Sequence, residues 1–199
     1  MFPLGTVLFP GAAIPLHVFE PRYRALTGYC LEHDSPLGIV LIERGSEVGG
    51  GDVRFRVGTQ ARIVDSAALP DGRWVLALVG ERRIRIDSWL GETPFPRAQV
   101  TVLDEDGGEP SIAGVREAVE GRLRQALALR AALGEGDESE VILADEPQLA
   151  VWQAAASGLV SVVDAQRLLE TDALADRLAL LTSLLDDELA VLALRARER

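Results

Sequence analysis

Short apolar runs separated by Gly and Pro fill the first half of the chain. The uninterrupted run Leu-Gly-Ile-Val-Leu-Ile predicts a buried strand. Two other stretches alternate arginine with apolar side chains, and this period of two predicts strands with one buried and one solvated face. Asp71-Gly72 predicts a hairpin turn. The predicted strands are residues 37–42, 53–57, 62–65, 74–79, 83–86 and 98–103.

One helix interrupts these strands, and a glycine run lies between two of them. Pro21 suits the first turn of a helix, so we expect a helix over residues 22–32. The run Gly49–Gly51 predicts a hairpin turn. A phosphate-binding loop would need a lysine at the start of a following helix, and none is present.

A helical period replaces the strand pattern after an acidic, Gly-containing stretch at residues 104–110. Apolar residues then recur every three or four positions, which predicts four amphipathic helices. Ser161 begins the third, and Asp172 is the expected N-cap of the last, whose apolar face is rich in leucine. The sequence therefore predicts an α+β protein, with a β-barrel at residues 1–103 and a helical bundle at 104–199.

Charge is distributed unevenly between these two parts. Residues 1–103 contain 11 arginines and 11 acidic residues, whereas residues 104–199 contain 9 arginines and 20 acidic residues. An acidic balance repels phosphate backbones and anionic membrane surfaces, so nucleic acid and membranes are not expected partners. With a single cysteine, no leader and no apolar run of membrane-spanning length, the expected location is the cytoplasm.

Several catalytic chemistries are excluded by composition. All 20 basic residues are arginine, so P-loop, Schiff-base and Ser-Lys mechanisms have no lysine to use. Cys30 and His33 are a conceivable nucleophile and base at helical spacing, but a small apolar cysteine is the favoured interpretation. His17 and His33 are too few for a zinc site. We therefore expect no catalytic residue, cofactor or metal.

The alternative function is RNA binding through the arginine-rich faces of two predicted strands. If the two alternating strands are neighbours, their arginines converge into a basic patch that binds RNA. The competing interpretation is a solvated face paired with Asp and Glu, and no aromatic residues are interleaved for base stacking. The residues of this patch are Arg54, Arg56, Arg83 and Arg85.

Apolar residues near the N-terminus are spaced by prolines along what we expect to be irregular backbone. Leu4, Phe9 and Phe19 are expected to stay partly exposed there, as an apolar strip that binds an unfolded segment. The next block is Glu20, Arg22, Tyr23 and Arg24. One interpretation is that these residues orient a loop that faces a partner, and the other is that they only form a local ion-pair network. The predicted peptide-binding residues are Phe9, Pro10, Ile14, Pro15, Leu16, His17 and Phe19.

Several of these blocks resemble the N-terminal domain of Lon proteases. Val-Leu-Phe-Pro-Gly at 7–11 and Pro-Leu-His-Val-Phe-Glu-Pro-Arg-Tyr-Arg at 15–24 are similar to the family's opening signature. Residues 37–42, 57–63 and 80–86 resemble its later strands. Residues 163–170 resemble its Lys-Gln-x-Leu-Leu-Glu segment, from which Arg167 departs.

The resemblance implies a PUA-like barrel followed by a helical bundle, and a role in recognising protein substrates. Full Lon proteases continue into an ATPase and a Ser-Lys peptidase, and this chain stops before either. It is therefore interpreted as a standalone, non-catalytic adaptor that binds unfolded polypeptide or a specific protein partner. We expect binding in a groove between barrel and bundle, aided by sheet-edge hydrogen bonds. The leucine face of the last helix is either used inside the bundle or shared in a homodimer.

Overall fold

Strands fill the first half of the molecule and helices the second. The computed structural model describes residues 1–47, 51–105, 110–136 and 141–198. These divide into two units, Met1–Asp104 (unit 1) and Glu105–Arg199 (unit 2). The mixed α+β fold class is confirmed. The elements are β1 (Phe2–Leu4), β2 (Ala13–Val18), α1 (Pro21–His33), β3 (Leu37–Arg44), β4 (Val53–Ala68), β5 (Trp74–Gly91), β6 (Arg97–Val102), α2 (Ile112–Ala132), α3 (Pro147–Ala155), α4 (Val162–Glu170) and α5 (Leu174–Arg197).

The strands of unit 1 form one sheet in the order β1-β3-β4-β5-β2, and β6 pairs with the second half of β5. Only the β1–β3 pair is parallel among the described strands. β4 and β5 are each one long strand where the pattern predicted two. Register shifts at 60/61 and 63/65 interrupt the alternation of apolar residues within β4 without ending the strand.

The sheet of unit 1 encloses a hydrophobic core. One cluster of buried side chains draws on α1 and on all five strands of the main path, so the sheet curls around it. Tyr23 of α1 packs into this core, where its ring stacks on Phe2 with 4.1 Å between centroids. The buried members are Phe2, Leu4, Leu8, Val18, Tyr23, Leu26, Cys30, Leu37, Ile39, Ala61, Leu76 and Leu78.

The N-terminal segment contains two strands, β1 and β2, where irregular backbone was predicted, while residues 5–12 between them are not strand. Within β2, Ile14 and Leu16 pack against the core, whereas Pro15 and His17 alternate with them and are exposed. Pro15 is tolerated because β2 is an edge strand, with β5 as its partner on one side. The prolines therefore interrupt the pattern without preventing pairing.

Unit 2 contains four helices held together by a leucine-rich face of α5. Leu174, Leu181, Leu185 and Leu192 are all buried. Ser161, predicted as the first residue of the third helix, is the N-cap of α4, since its Oγ accepts a hydrogen bond from the backbone N–H of Asp164. The prediction of Asp172 as the α5 cap is wrong. Ala173 occupies that position, and no side chain caps the helix there.

A fully buried arginine holds the turn before α5, although as a donor it cannot cap the free N–H groups of the helix. The guanidinium of Arg177 donates to the carbonyl oxygens of Thr171 and Asp172, at 2.8 and 3.2 Å. It also lies 3.8 Å above the ring of Trp152 and 3.1 Å from the Glu105 carboxylate. Arg177 therefore satisfies the turn that precedes α5 from inside the unit.

Candidate functional site

An apolar cavity opens within unit 1, between α1, the start of β3 and the β5–β6 hairpin. Its volume is about 510 Å³, which is within the size range of ligand sites in proteins. Most of its lining is aliphatic or aromatic. The lining residues are Met1, Leu26, Tyr29, Cys30, Pro36, Leu37, Gly38, Gln60, Ile84, Leu90, Pro94, Phe95, Arg97, Ala98 and Val100.

The alternation of side chains along β6 explains why the floor of the cavity is apolar. Val100 and Val102 pair with Ile86 and Ile84, and directly paired residues share a face of the sheet. Both isoleucines are buried, yet both valines remain 40% exposed. The apolar face of the sheet therefore extends beyond the part that the core covers.

The backbone of β6 is open along one side. In the part of the chain that the structure describes, β6 has β5 as its one ladder partner. Its residues are exposed except for Ala98, which is half-buried. The polar side chains of β6 form hydrogen bonds within the β5–β6 hairpin; the Thr101 hydroxyl, for example, donates to the Asp87 carboxylate at 2.7 Å. An edge strand of this kind offers unpaired N–H and C=O groups beside an apolar cavity.

Helix α1 forms the opposite wall of the cavity. Leu26, Tyr29 and Cys30 are spaced by three and four residues, so they lie on one face of the helix. The Tyr29 ring is 5.5 Å from that of Phe95, which follows the hairpin tip. This contact joins α1 to the loop between β5 and β6, so the two walls support one another.

The arrangement of Cys30 and His33 does not suit nucleophilic catalysis. Cys30 is buried, and burial raises the pKa of its thiol, which disfavours the thiolate that a nucleophile requires. The ring of His33 stacks on Tyr29, and its Nδ1 lies 2.9 Å from the Tyr29 carbonyl oxygen. Cys30 is therefore a small core residue that also borders the cavity.

Two of the described residues that line the cavity have basic groups. The amino group of Met1 is buried and donates to the Pro96 carbonyl oxygen at 2.7 Å, and burial lowers its pKa to about 6. Among the described residues that line it, Arg97 has the only charged side chain. The other polar side chain near the floor, Gln60, donates from Nε2 to Glu81 at 2.8 Å and is directed toward that carboxylate. No carboxylate lines the cavity within the described chain.

The predicted peptide-binding residues are dispersed, and part of that prediction is wrong. Leu4, Phe9 and Pro10 are buried, because the N-terminal segment packs into the core and across the sheet. The hydroxyl of Thr59 donates to the Leu8 carbonyl, which holds this segment down. A peptide-binding role for the others stays a prediction. Pro15 and His17 are exposed on β2, Ile14 and Leu16 are half-buried, and Phe19 is 52% exposed.

The residues predicted to orient a loop surround the start of α1. Arg22 donates from Nε to Glu20 at 3.2 Å, and its guanidinium carbon lies 4.4 Å from the centre of the Tyr23 ring. Arg24 reaches the β4–β5 turn, where its guanidinium occupies the space that a side chain on Gly72 would need. These contacts fix the helix start, and a role toward a partner stays a prediction.

The four arginines of the predicted basic patch do not form one solvated surface. Arg83 is completely buried, because the chain leaving β6 covers it and the carbonyl of Asp104 accepts its hydrogen bond. Arg54 is paired with Asp52 and Glu92 and lies over Trp89. Arg85 is paired with Asp87, and Arg56 is exposed. The prediction of a common polar face is therefore wrong for Arg83.

The described residues contain neither a metal-ligand cluster nor a membrane-spanning helix. No group of three or more His, Cys, Asp or Glu side chains there is placed to hold a metal ion. None of the described helices combines the length and the apolar character needed to cross a membrane. The predicted turn at Gly49–Gly51 lies largely outside the described residues. Gly51 itself has a positive φ of 77°.

The fold is that of a protease substrate-binding domain. Residues 1–187 match the family model of the ATP-dependent protease La (LON) substrate-binding domain. The chain belongs to this family.

Relatives and solved structures agree with this assignment. The chain is 29% identical over 200 residues to Lon protease 2 of Herpetosiphon aurantiacus, covering 96% of this chain and 24% of the relative. It is 24% identical over 194 residues to the Lon protease of Cytophaga hutchinsonii, covering 95% and 24%. The chain thus spans about a quarter of the length of these relatives.

Two solved structures share the architecture. A Lon N-terminal domain protein from Xanthomonas campestris is similar with a TM-score of 0.67 and 28% identity, over 92% of this chain and 95% of that one. The N-terminal domain of the Lon protease of the Mycobacterium avium complex has a TM-score of 0.60 at 17% identity, covering 93% and 97%, and shows the fold alone.

Sequence reasoning did not find the cavity. Its walls come from residues near 30, 37, 60 and 90–100, which no local pattern connects. The one available signal was the apolar character of Val100 and Val102 in a strand whose partner residues are also apolar.

Proposed function

We propose that this chain binds extended segments of unfolded or partner polypeptide without acting on them chemically, and that the cavity beside β6 is where unit 1 binds them. Membership of a substrate-binding family supports polypeptide binding in general. The observation that carries the specific proposal is a strand, β6, with one edge that no described strand pairs with, next to a cavity of about 510 Å³ with a mostly apolar lining.

Binding combines the backbone of β6 with the apolar cavity. An incoming extended segment adds to the free edge of β6 and pairs through main-chain hydrogen bonds, which need no particular sequence. Because side chains alternate along a strand, every second residue of the segment faces the same side as Ala98 and Val100. Apolar side chains at those positions enter the cavity, so the site selects an alternating apolar pattern that folded proteins bury.

A peptide titration tests this proposal. The probe is a fluorescein-labelled, Gly/Ser-rich peptide with an internal Phe-Ser-Leu, which places two apolar side chains on one face of a strand. We expect saturable binding by fluorescence anisotropy that persists in high salt, because apolar burial is not screened. Replacing the Phe and Leu of the probe by Ser is expected to abolish binding.

Matched leucine variants locate the site. Leu90 lines the cavity and is 54% exposed, whereas Leu194 lies on α5 in unit 2 and is 58% exposed. Burying the exposed half of a leucine contributes about 1 kcal/mol, so Leu90→Ser is expected to weaken binding about fivefold. Leu194→Ser is expected to leave it unchanged. Equal effects of the two variants, or none from Leu90→Ser, would place binding elsewhere.

A further inference from the structure

An open groove runs along the surface of unit 2 between α5 and α2, with a volume of about 720 Å³. Its other two lining residues are Ala118 of α2 and Pro110, which precedes that helix. On α5 the lining residues recur at helical spacing, so they form one face of the helix, about 18 Å or roughly three turns long. They are Ala175, Leu178, Ala179, Thr182, Ser183, Asp186 and Asp187. The groove shares no residue with the cavity of unit 1.

The walls of the groove favour a helical ligand over an extended one. All lining residues except Pro110 lie within helices, whose interior N–H and C=O groups are bonded to one another. The Thr182 hydroxyl likewise donates to the Leu178 carbonyl oxygen at 2.7 Å. An extended segment therefore finds no strand edge to pair with, and its backbone loses water without gaining partners. A helix satisfies its backbone internally and presents only side chains.

Short side chains let such a helix approach α5 closely. Ala175, Ala179 and Ser183 are four residues apart on one face and are all exposed. Packed helix axes lie about 8–10 Å apart, and the separation depends on the size of the side chains at the contact. Leu178 and Ala118, both half-buried, give the groove an apolar floor. The groove is therefore shaped for a ridge of larger apolar side chains from a second helix.

The charges around the groove indicate the sign of the partner. Asp186 is paired with Arg122 of α2 at 2.7 Å. Asp176 and Asp187 lie about three turns apart on the same side of α5, are exposed, and have no ion-pair partner within the described chain. Residues 104–199 contain 9 arginines and 20 acidic residues, so the wider field has the same sign. An apolar groove with a carboxylate near each end is complementary to an apolar helix face flanked by cations.

We propose that the groove between α5 and α2 binds a basic amphipathic helix of a partner protein. The apolar stripe of that helix packs on Leu178 and Ala179, and its Lys or Arg side chains pair with Asp176 and Asp187. This surface is separate from the cavity beside β6, so the inference goes beyond the proposed function and does not rest on it. The chain then has one site for extended polypeptide and another for a helix.

A second copy of the chain does not suit the groove. Antiparallel pairing of two α5 helices centred on the groove places Asp176 of one copy opposite Asp186 of the other, twice by symmetry. Like charges placed opposite one another disfavour association. The partner is therefore a different polypeptide of opposite charge.

A titration with three matched peptides tests the chemistry of the ligand. The basic probe is a fluorescein-labelled, Ala-rich peptide of about 18 residues, long enough to form a helix, with leucines at helical spacing and lysines beside them. The second probe has Glu in place of every Lys, and the third has a central Pro. We expect saturable binding of the basic probe by fluorescence anisotropy, weakened by salt because the carboxylates are exposed. The Glu and Pro probes are each expected to bind at least about tenfold more weakly.

Paired variants of the full chain locate the site. Ala179→Gln fills the centre of the groove with a long side chain that helices tolerate, and is expected to weaken binding of the basic probe by about tenfold or more. Asp187→Asn is expected to weaken it about twofold to fivefold, as for an exposed ion pair. The controls are Ala25→Gln and Glu32→Gln, at exposed positions of α1 in unit 1, and both are expected to leave the affinity unchanged.

The outcomes distinguish this groove from the cavity beside β6. If Leu90→Ser removes binding of the basic probe and Ala179→Gln does not, the helix binds in the cavity and the inference is overturned. Equal binding of the Glu probe refutes the charge of the partner, and equal binding of the Pro probe refutes its helical form. If the chain sediments as a dimer that Ala179→Gln dissociates, a second copy occupies the groove instead. If the basic probe does not bind at all, the inference fails, while peptide binding beside β6 is decided by its own titration.

Discussion

Replacing the buried Arg177 is expected to destabilise unit 2 severely. Its guanidinium is fully buried, donates to two backbone carbonyls, lies over Trp152 and pairs with Glu105. Arg177→Met keeps much of the apolar stem volume and removes all of these interactions. The variant leaves the two carbonyl groups without their buried donor and removes the partner of the Glu105 carboxylate, which is 23% exposed.

The expected magnitude follows from these contacts. Removing one partner of a buried ion pair costs about 3–5 kcal/mol, because the other charge and the polar groups stay buried. A desolvated cation–π contact of the kind made with Trp152 contributes about 2 kcal/mol on its own. Glu105→Gln is expected to cost only about 1 kcal/mol, since that side chain is 23% exposed and its amide still accepts a hydrogen bond.

Urea unfolding followed by far-UV circular dichroism measures the difference, because the signal is dominated by helices and most of these lie in unit 2. The shift of the urea midpoint is the loss of unfolding free energy divided by the denaturant slope, which is about 1–3 kcal/mol per molar. Arg177→Met is therefore expected to lower the midpoint by roughly 1 M or more. Arg124→Met, at an exposed position of α2, is the control and is expected to cost about 0.5 kcal/mol or less. A loss below about 1 kcal/mol for Arg177→Met would refute the reasoning.

Two further predictions concern unit 1. Gly58→Ala is expected to lower the free energy of unfolding in urea by about 1–3 kcal/mol, because the added carbon meets the carbonyl oxygen of Ile39. Gly28→Ala, at an exposed position of α1 with no atom nearby, is expected to raise it by up to about 1 kcal/mol. The same sign for both would contradict the steric argument. Hydrogen bonds, first from Gln60, hold the pKa of Glu81 below its usual value. The stability that these hydrogen bonds give the folded state is fully present when the pH is above the usual pKa of a Glu carboxyl, and it is lost as the pH falls and the carboxylate becomes protonated. Glu81→Gln is therefore expected to destabilise the protein more at pH 7 than at about pH 3. Equal losses at both pH values would exclude this linkage.

The elements that the sequence predicted well have a clear local signal. The strand at 37–42 is a continuous apolar run, the helix at 22–32 follows a first-turn proline, and the leucines of α5 recur at helical spacing. In contrast, β4 and β5 each appeared as two short strands. A register shift at a bulge changes which side chains face the core, so the alternation of apolar and polar residues breaks there and the sequence predicts the end of a strand.

The burial of Arg83 shows why a strand pattern alone does not identify a solvated surface. Its neighbours Ile84 and Ile86 face the core, so alternation placed Arg83 on the opposite, polar face. That face is covered here by the chain leaving β6, through contacts with residues 103 and 104. Coverage by a distant segment has no local signature, and the same holds for the cavity, whose walls meet only in the folded sheet.

Amide hydrogen exchange with and without peptide tests the central claim most directly. The full chain is labelled alone and with a saturating amount of the Gly/Ser-rich probe that carries an internal Phe-Ser-Leu. Binding at the β6 edge predicts slower exchange of the β6 amides at 97–102, whose outward N–H groups gain partners, with smaller protection near Leu26 to Cys30 on the cavity wall. Unchanged exchange in β6 with protection confined to unit 2, or to no segment at all, would contradict the account.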